Sequence, residues 1–166
     1  RLTERQRFYV QSSNSAARLS NDVAKSSERL TKATNVAQMN KELRKIKKSA
    51  ERVISRLEKA EARTANKAEI ANMTSEDLLD HALSLRKFED AQRQLAANAA
   101  ERLEAMTLAQ VSSPEVMGAA QRELADIDRF IQRTANLRQS ADNVFDTAAK
   151  RQVAAEGKAD IAAETS

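Results

Sequence analysis

The sequence predicts an all-α protein, an antiparallel helical bundle, on three observations. Aromatic residues make up 3% of the 166, with two Gly, one Pro and no Cys or Trp. That is a poor stock for strands, which favour β-branched and aromatic side chains, and for the turns between strands. Ala, Glu, Lys, Arg, Gln and Leu abound instead, the residues that lose least on entering a helix. Apolar positions also recur at spacings of three and four over long stretches. The length fits a single helical domain over 1–166.

Leu19, Val23, Ser26, Leu30, Ala33 and Ala37 keep this spacing and predict a first helix over about 4–33. Leu43, Ile46, Ala50, Val53, Leu57, Ala60 and Thr64 keep it over about 36–71, extended backwards by Val36 and Met39. The second register is displaced by one residue from the first. The slip falls at KATNV, residues 32–36, where Thr34 or Asn35 can cap a new helix.

Two arrangements stay open at that point. A turn gives a four-helix, up-down-up-down bundle with both termini at one end. A continuous helix of about 100 Å gives an elongated three-helix coiled coil, whose stripe of Leu19, Val23 and Leu30 then needs another chain.

The third helix, about 75–109, follows NMTSEDLLD, where Thr74 or Ser75 caps and Glu76, Asp77 and Asp80 face the positive helix end. The fourth, about 114–163, follows QVSSPEV, with Ser113 as cap, Pro114 in the first turn and Glu115 behind it. Ala141, Ala148, Ala155 and Ala162 form a small-residue seam along it. Beyond about Lys150 the apolar residues are nearly all Ala and Gly157 lies in the path, so the tail is expected to fray or to continue into further sequence.

The net charge of +4 hides a polarised chain. Residues 1–72 carry 17 Lys or Arg against 8 Asp or Glu, and residues 73–166 carry 11 against 16. The stretch NKELRKIKKSAERVISRLEKAEAR, residues 40–63, concentrates the excess. Lys41 and Lys45, Arg44 and Lys48, Lys48 and Arg52, and Arg52 and Arg56 are like charges four apart, each costing an isolated helix about 0.2–0.5 kcal/mol.

An acidic counterpart is therefore expected. Folding the third helix back against the second would supply Glu101 and Glu104 to Lys41, Arg44 and Lys45, and Asp90 to Arg56. Otherwise Lys41, Arg44, Lys45, Lys47, Lys48, Arg52 and Arg56 form a surface for an acidic protein, an anionic membrane or a nucleic-acid backbone. The stretch contains no aromatic residue to stack on a base, so any such attachment rests on charge.

Chemistry is sparse. His81 is the only histidine and lies four residues after Asp77; with no second His or Cys it cannot complete a typical zinc set, and a surface or interhelical position is expected. Glu123, Asp126 and Asp128 lie among Arg122, Arg129 and Arg133 and predict a surface ion network. Phe130 and Phe145 predict core anchors, whereas Phe8, Tyr9 and Val10, ahead of the polar QSSNS, predict a docking point. No catalytic residue, metal site or cofactor is expected.

The expected function is a non-enzymatic protein–protein interaction module: a scaffold, adaptor or self-assembling element. The alternatives are an extracytoplasmic ligand-sensing four-helix bundle of a membrane receptor, and a charge-driven binder of anionic membrane or nucleic-acid surfaces. No stretch approaches the roughly 20 apolar residues of a membrane span, and RLTERQRFYV lacks the apolar core of a signal peptide. A soluble segment is expected, with the cytoplasm favoured. A start at Arg1 rather than Met suggests a piece of a longer chain.

Overall fold

A computed structural model describes residues 2–63, 72–109 and 113–165. They form four helices: α1 (Glu4–Thr31), α2 (Val36–Arg63), α3 (Ser75–Leu108) and α4 (Pro114–Thr165). The predicted continuation of the second helix through Thr64 to 71 lies outside the described residues.

Each start is capped by a residue suited to it. Thr3 and Gln6 exchange side-chain and backbone hydrogen bonds in a capping box at α1. The Asp77 amide donates to Thr74 Oγ1 (3.1 Å) at α3, and the Val116 amide to Ser113 Oγ (3.4 Å) at α4.

The chain turns at KATNV. The Gln38 amide donates to Asn35 Oδ1 (2.8 Å), and the Thr34 amide donates to Gln38 Oε1 (3.2 Å). Arg102 Nε of α3 donates to the Ala33 carbonyl (2.7 Å), satisfying an acceptor that the end of α1 leaves over. The one-residue register slip thus marks a turn, and the four-helix bundle replaces the three-helix alternative.

Chain direction alternates up, down, up, down, as two hairpins set side by side. In the first, Ser26 and Arg29 of α1 bond Glu42 of α2. In the second, Gln92 of α3 donates to Thr134 of α4, and Ser75 donates to Gln152. Between hairpins the neighbours run parallel: Tyr9 meets His81 and Asn98 meets Ser27 along α1 and α3, while Lys47 meets Asp126 and Arg133 meets Glu58 along α2 and α4. α2 and α3 therefore sit on a diagonal and barely touch.

Leu30, Met39, Leu43, Ile54, Leu57, Leu85, Phe88, Leu95 and Ile127 are enclosed in the main core. α1 contributes small residues, Ser12, Ser13, Ala16, Ser20 and Ser27, which let its neighbours approach closely. The Ser12 and Ser20 hydroxyls donate back to the carbonyls of Phe8 (2.8 Å) and Ala16 (2.7 Å), so their burial leaves no donor orphaned.

The buried face of α2 differs from the predicted stripe. Ile54 is fully enclosed while Val53 is only partly covered, because a straight helix of 3.6 residues per turn drifts off a strict 3.5 repeat. Val36 and Met39, the backward extension of the stripe, are buried as expected, whereas Ala37, placed last on the stripe of the first helix, is exposed.

α4 is helical to Thr165, although every residue from Lys150 onward is exposed. Past Gln152, the partner of Ser75 at the start of α3, it runs on for about 20 Å. Among the described residues no helix is long and apolar enough to cross a membrane.

Candidate functional site

The acidic residues of α2 are drawn to its neighbours and its basic residues are left outside. Glu42 receives Ser26 (2.7 Å) and Arg29 (2.8 Å). Partial burial would raise its carboxyl, but those hydrogen bonds and the charges of Arg29 and Lys45 hold it below the usual range. Glu51 and Glu58 both receive the Arg133 guanidinium from α4. Arg133 hydrogen bonds lower Glu51 below its ordinary value, against the smaller effect of burial.

Lys41, Arg44, Lys45, Lys48, Arg52 and Arg56 are exposed, and none takes part in an ion pair among the described residues. Lys59 continues the face. From Lys41 to Arg56 the face is about 22 Å long. The expected neutralisation by Glu101, Glu104 and Asp90 does not occur, because α3 lies across the diagonal from α2.

Lys47 is the exception. It sits in the α2/α4 seam with its ammonium 2.7 Å from both Glu123 and Asp126, so it is removed from the outward surface. Its spacing from Arg44 and Lys48 gave no sign of this, because the acids come from a helix 76 or more residues away in sequence. The expected ion network on α4 is therefore largely interhelical, with Asp126 also paired to Arg129.

The residues expected to dock on another chain are used within this one. Leu19, Val23 and Leu30 are buried in the main core, since the turn at Asn35 brings α2 over them. Tyr9 is buried, and Phe8 and Val10 pack with Met73, Leu78 and Phe145 in a second, smaller cluster at the termini end. Arg63 lies over the Phe8 ring, 5.1 Å from its centroid. Phe130 is partly buried beneath Arg133, and Phe145 anchors the smaller cluster rather than the main core.

Beside that smaller cluster a cleft of about 780 Å³ opens among the four helices. Its floor holds Leu57, Leu85, Leu137 and Ala141, with Tyr9 and His81 alongside; Glu58, Glu61, Ser140 and Arg151 stand among its polar residues. Tyr9 and His81 stack with centroids 3.6 Å apart and planes inclined by 25°. His81 is 4% exposed, and its Nδ1 has no hydrogen-bond partner among the described residues.

Burial pushes the His81 imidazolium down to about 3, so the ring is neutral. Burial first, then the charge of Glu61, raises the Tyr9 phenol. Burial also raises Glu61, Ser140's hydrogen bond works against that rise, and the charge of Glu58 adds to it. His81 is thus interhelical, as expected, and its close neighbour is an aromatic ring. Its spacing from Asp77 implied a carboxylate, and no sequence signal linked Tyr9 to a residue 72 positions later.

Among the described residues no group of three or more His, Cys, Asp or Glu side chains is arranged to hold a metal ion. Comparison with protein-family models, curated proteins and solved structures gives no match.

Proposed function

We propose that this chain is a non-enzymatic interaction module whose docking surface is the outward face of α2, and whose partner presents clustered negative charge. The supporting observation is the row of six exposed cations, Lys41, Arg44, Lys45, Lys48, Arg52 and Arg56, none of which takes part in an ion pair among the described residues. Like charges so close are costly when alone and favourable against an anionic surface. The face carries no aromatic group, so attachment is by charge and its geometry is that of a straight, rigid helix.

The test is binding of the whole chain to three probes: a poly-glutamate peptide, vesicles with and without phosphatidylserine, and duplex DNA. Affinity for the cognate class should fall on the order of 10²-fold between about 50 and 200 mM salt. It should vanish when Arg44, Lys45 and Lys48 are all replaced by Glu while helical content is kept. Binding to none of the probes at low salt, or binding indifferent to that triple replacement, would exclude the reading. Preference among the probes assigns the partner class.

A second reading, a ligand-receiving four-helix bundle, is supported by the cleft beside Tyr9 and His81, which falls within the roughly 300–1,000 Å³ of small-molecule sites.

A further inference from the structure

We infer that the acidic partner of α2 is the outward face of α3 on a second copy of this chain, so that copies join head to tail. The inference rests on the docking role proposed for α2 and names its partner.

The molecule carries two charged rows of the same pitch and opposite sign. On α2, Lys41, Lys45, Lys48, Arg52 and Lys59 are exposed and follow one line at spacings of four and three, completed by Ser55, with Arg44 and Arg56 beside it. On α3 every residue at that spacing from Glu76 to Leu108 is exposed, and five of them are acids, Glu76, Asp80, Asp90, Glu101 and Glu104, against one cation, Lys87. None of the five acids takes part in an ion pair among the described residues.

Within one molecule these rows do not meet. α2 and α3 lie on the diagonal of the bundle and barely touch, so their outward faces point away from each other. Their chain directions are opposite. A second copy displaced along that diagonal without rotation therefore lays its α3 antiparallel on the α2 of the first. A further slide of about 10 Å along the bundle axis sets Glu104 against Lys41, Glu101 against Arg44 and Lys45, and Asp90 against Arg56. This is the pairing that the sequence predicts and a single chain does not make. Leu108, 80% exposed, then falls beside the exposed Ala37 and adds apolar area at one end of the contact. Lys87 falls opposite Lys59 and bounds the contact at the other end.

A copy that offers α2 to one neighbour keeps its α3 face for the next. The contact is therefore heterologous, and repeating it by displacement alone builds an open row of copies. A two-fold pair made through either face alone would set like charges against each other. Exposed charge pairs each contribute little, so the association is weak, with a dissociation constant on the order of 10⁻⁴ M.

The experiment is analytical ultracentrifugation of the whole chain at about 50 and 200 mM salt, with two variants. One replaces Arg44, Lys45 and Lys48 by Gln; the other carries Asp90→Asn, Glu101→Gln and Glu104→Gln. The native chain at low salt should grow past the dimer as concentration rises to about 1 mM, and its association should weaken about tenfold at the higher salt. Each variant alone should stay monomeric. Their equimolar mixture should form a dimer of one of each and nothing larger, because it holds one intact face of each kind.

Association that survives in either variant alone, a native chain that stops at a dimer, or a mixture that stays monomeric overturns the inference. A native chain that is monomeric at about 1 mM yet binds a poly-glutamate peptide through α2 overturns the head-to-tail contact and leaves the docking role of α2 standing. A monomer that also ignores poly-glutamate, phosphatidylserine vesicles and duplex DNA overturns both.

Discussion

Tyr9 and His81, on parallel helices 72 residues apart in sequence, stack at 3.6 Å and place the only tyrosine and the only histidine of the chain in one wall. The contact joins the two hairpins at the end opposite their turns. It also fixes how the molecule responds to acid.

His81 is held neutral in the fold, with its ionisation pushed down from 6.5 to about 3 by burial. The unfolded chain therefore binds a proton that the folded chain refuses throughout that window. Stability is complete above about pH 6.5 and falls as pH drops towards 3, with a slope approaching about 1.4 kcal/mol per pH unit. Urea unfolding from pH 7.5 to 4.5 should show this slope, and His81→Phe should flatten it. An unchanged slope in that variant would show that the imidazole is not what senses acid. Glu42, Glu51 and Glu89, all held below the usual 4.5, keep their full contribution above that value and lose it as pH falls through their lowered values.

Phe88 is wholly enclosed in the main core. Phe88→Ala removes its contacts and leaves a cavity in the enclosed core, so about 3–5 kcal/mol of stability should be lost. Chemical denaturation measures it directly, and a loss below about 1 kcal/mol would mean that the core is packed far more loosely than the structure shows.

Lys47 holds two carboxylates, Glu123 and Asp126, at 2.7 Å each. Lys47→Met leaves those acids facing each other and should cost about 1–3 kcal/mol. Adding Glu123→Gln to that variant should recover part of the loss, a coupling that a double-mutant cycle detects. Additive effects would contradict the ion triad.

Asn35 caps α2 through the Gln38 amide. Asn35→Ala should cost about 1 kcal/mol and Asn35→Asp little. Thermal unfolding separates the two, and equal losses would place the start of α2 elsewhere.

Gln92 Nε2 donates to Thr134 Oγ1 at 2.9 Å, inside the α3/α4 seam. Gln92→Leu or Thr134→Val alone strands a buried polar group and should cost about 1–3 kcal/mol, whereas the two together should cost less than their sum. Unfolding free energies of the three variants decide it.

The residues themselves determined the helices. Caps at Thr74, Ser113 and Asn35 are local chemistry, readable because an N-cap acts within three residues of itself. The apolar stripes of α1 and α2 were legible for the same reason, and the one-residue slip between them located the turn.

Only the tertiary structure decided which helices are neighbours. Nothing in the stripes says whether α3 packs on α2 or crosses the diagonal to α1, since an Ala-rich, Leu-studded face suits either partner. That choice left the α2 cations outside, turned Lys47 inward to acids from α4, buried Leu19, Val23 and Leu30, and brought Tyr9 onto His81. Local propensity acts over a few residues and fixes the elements. The side chains that face each other across the bundle are set by packing the whole chain at once.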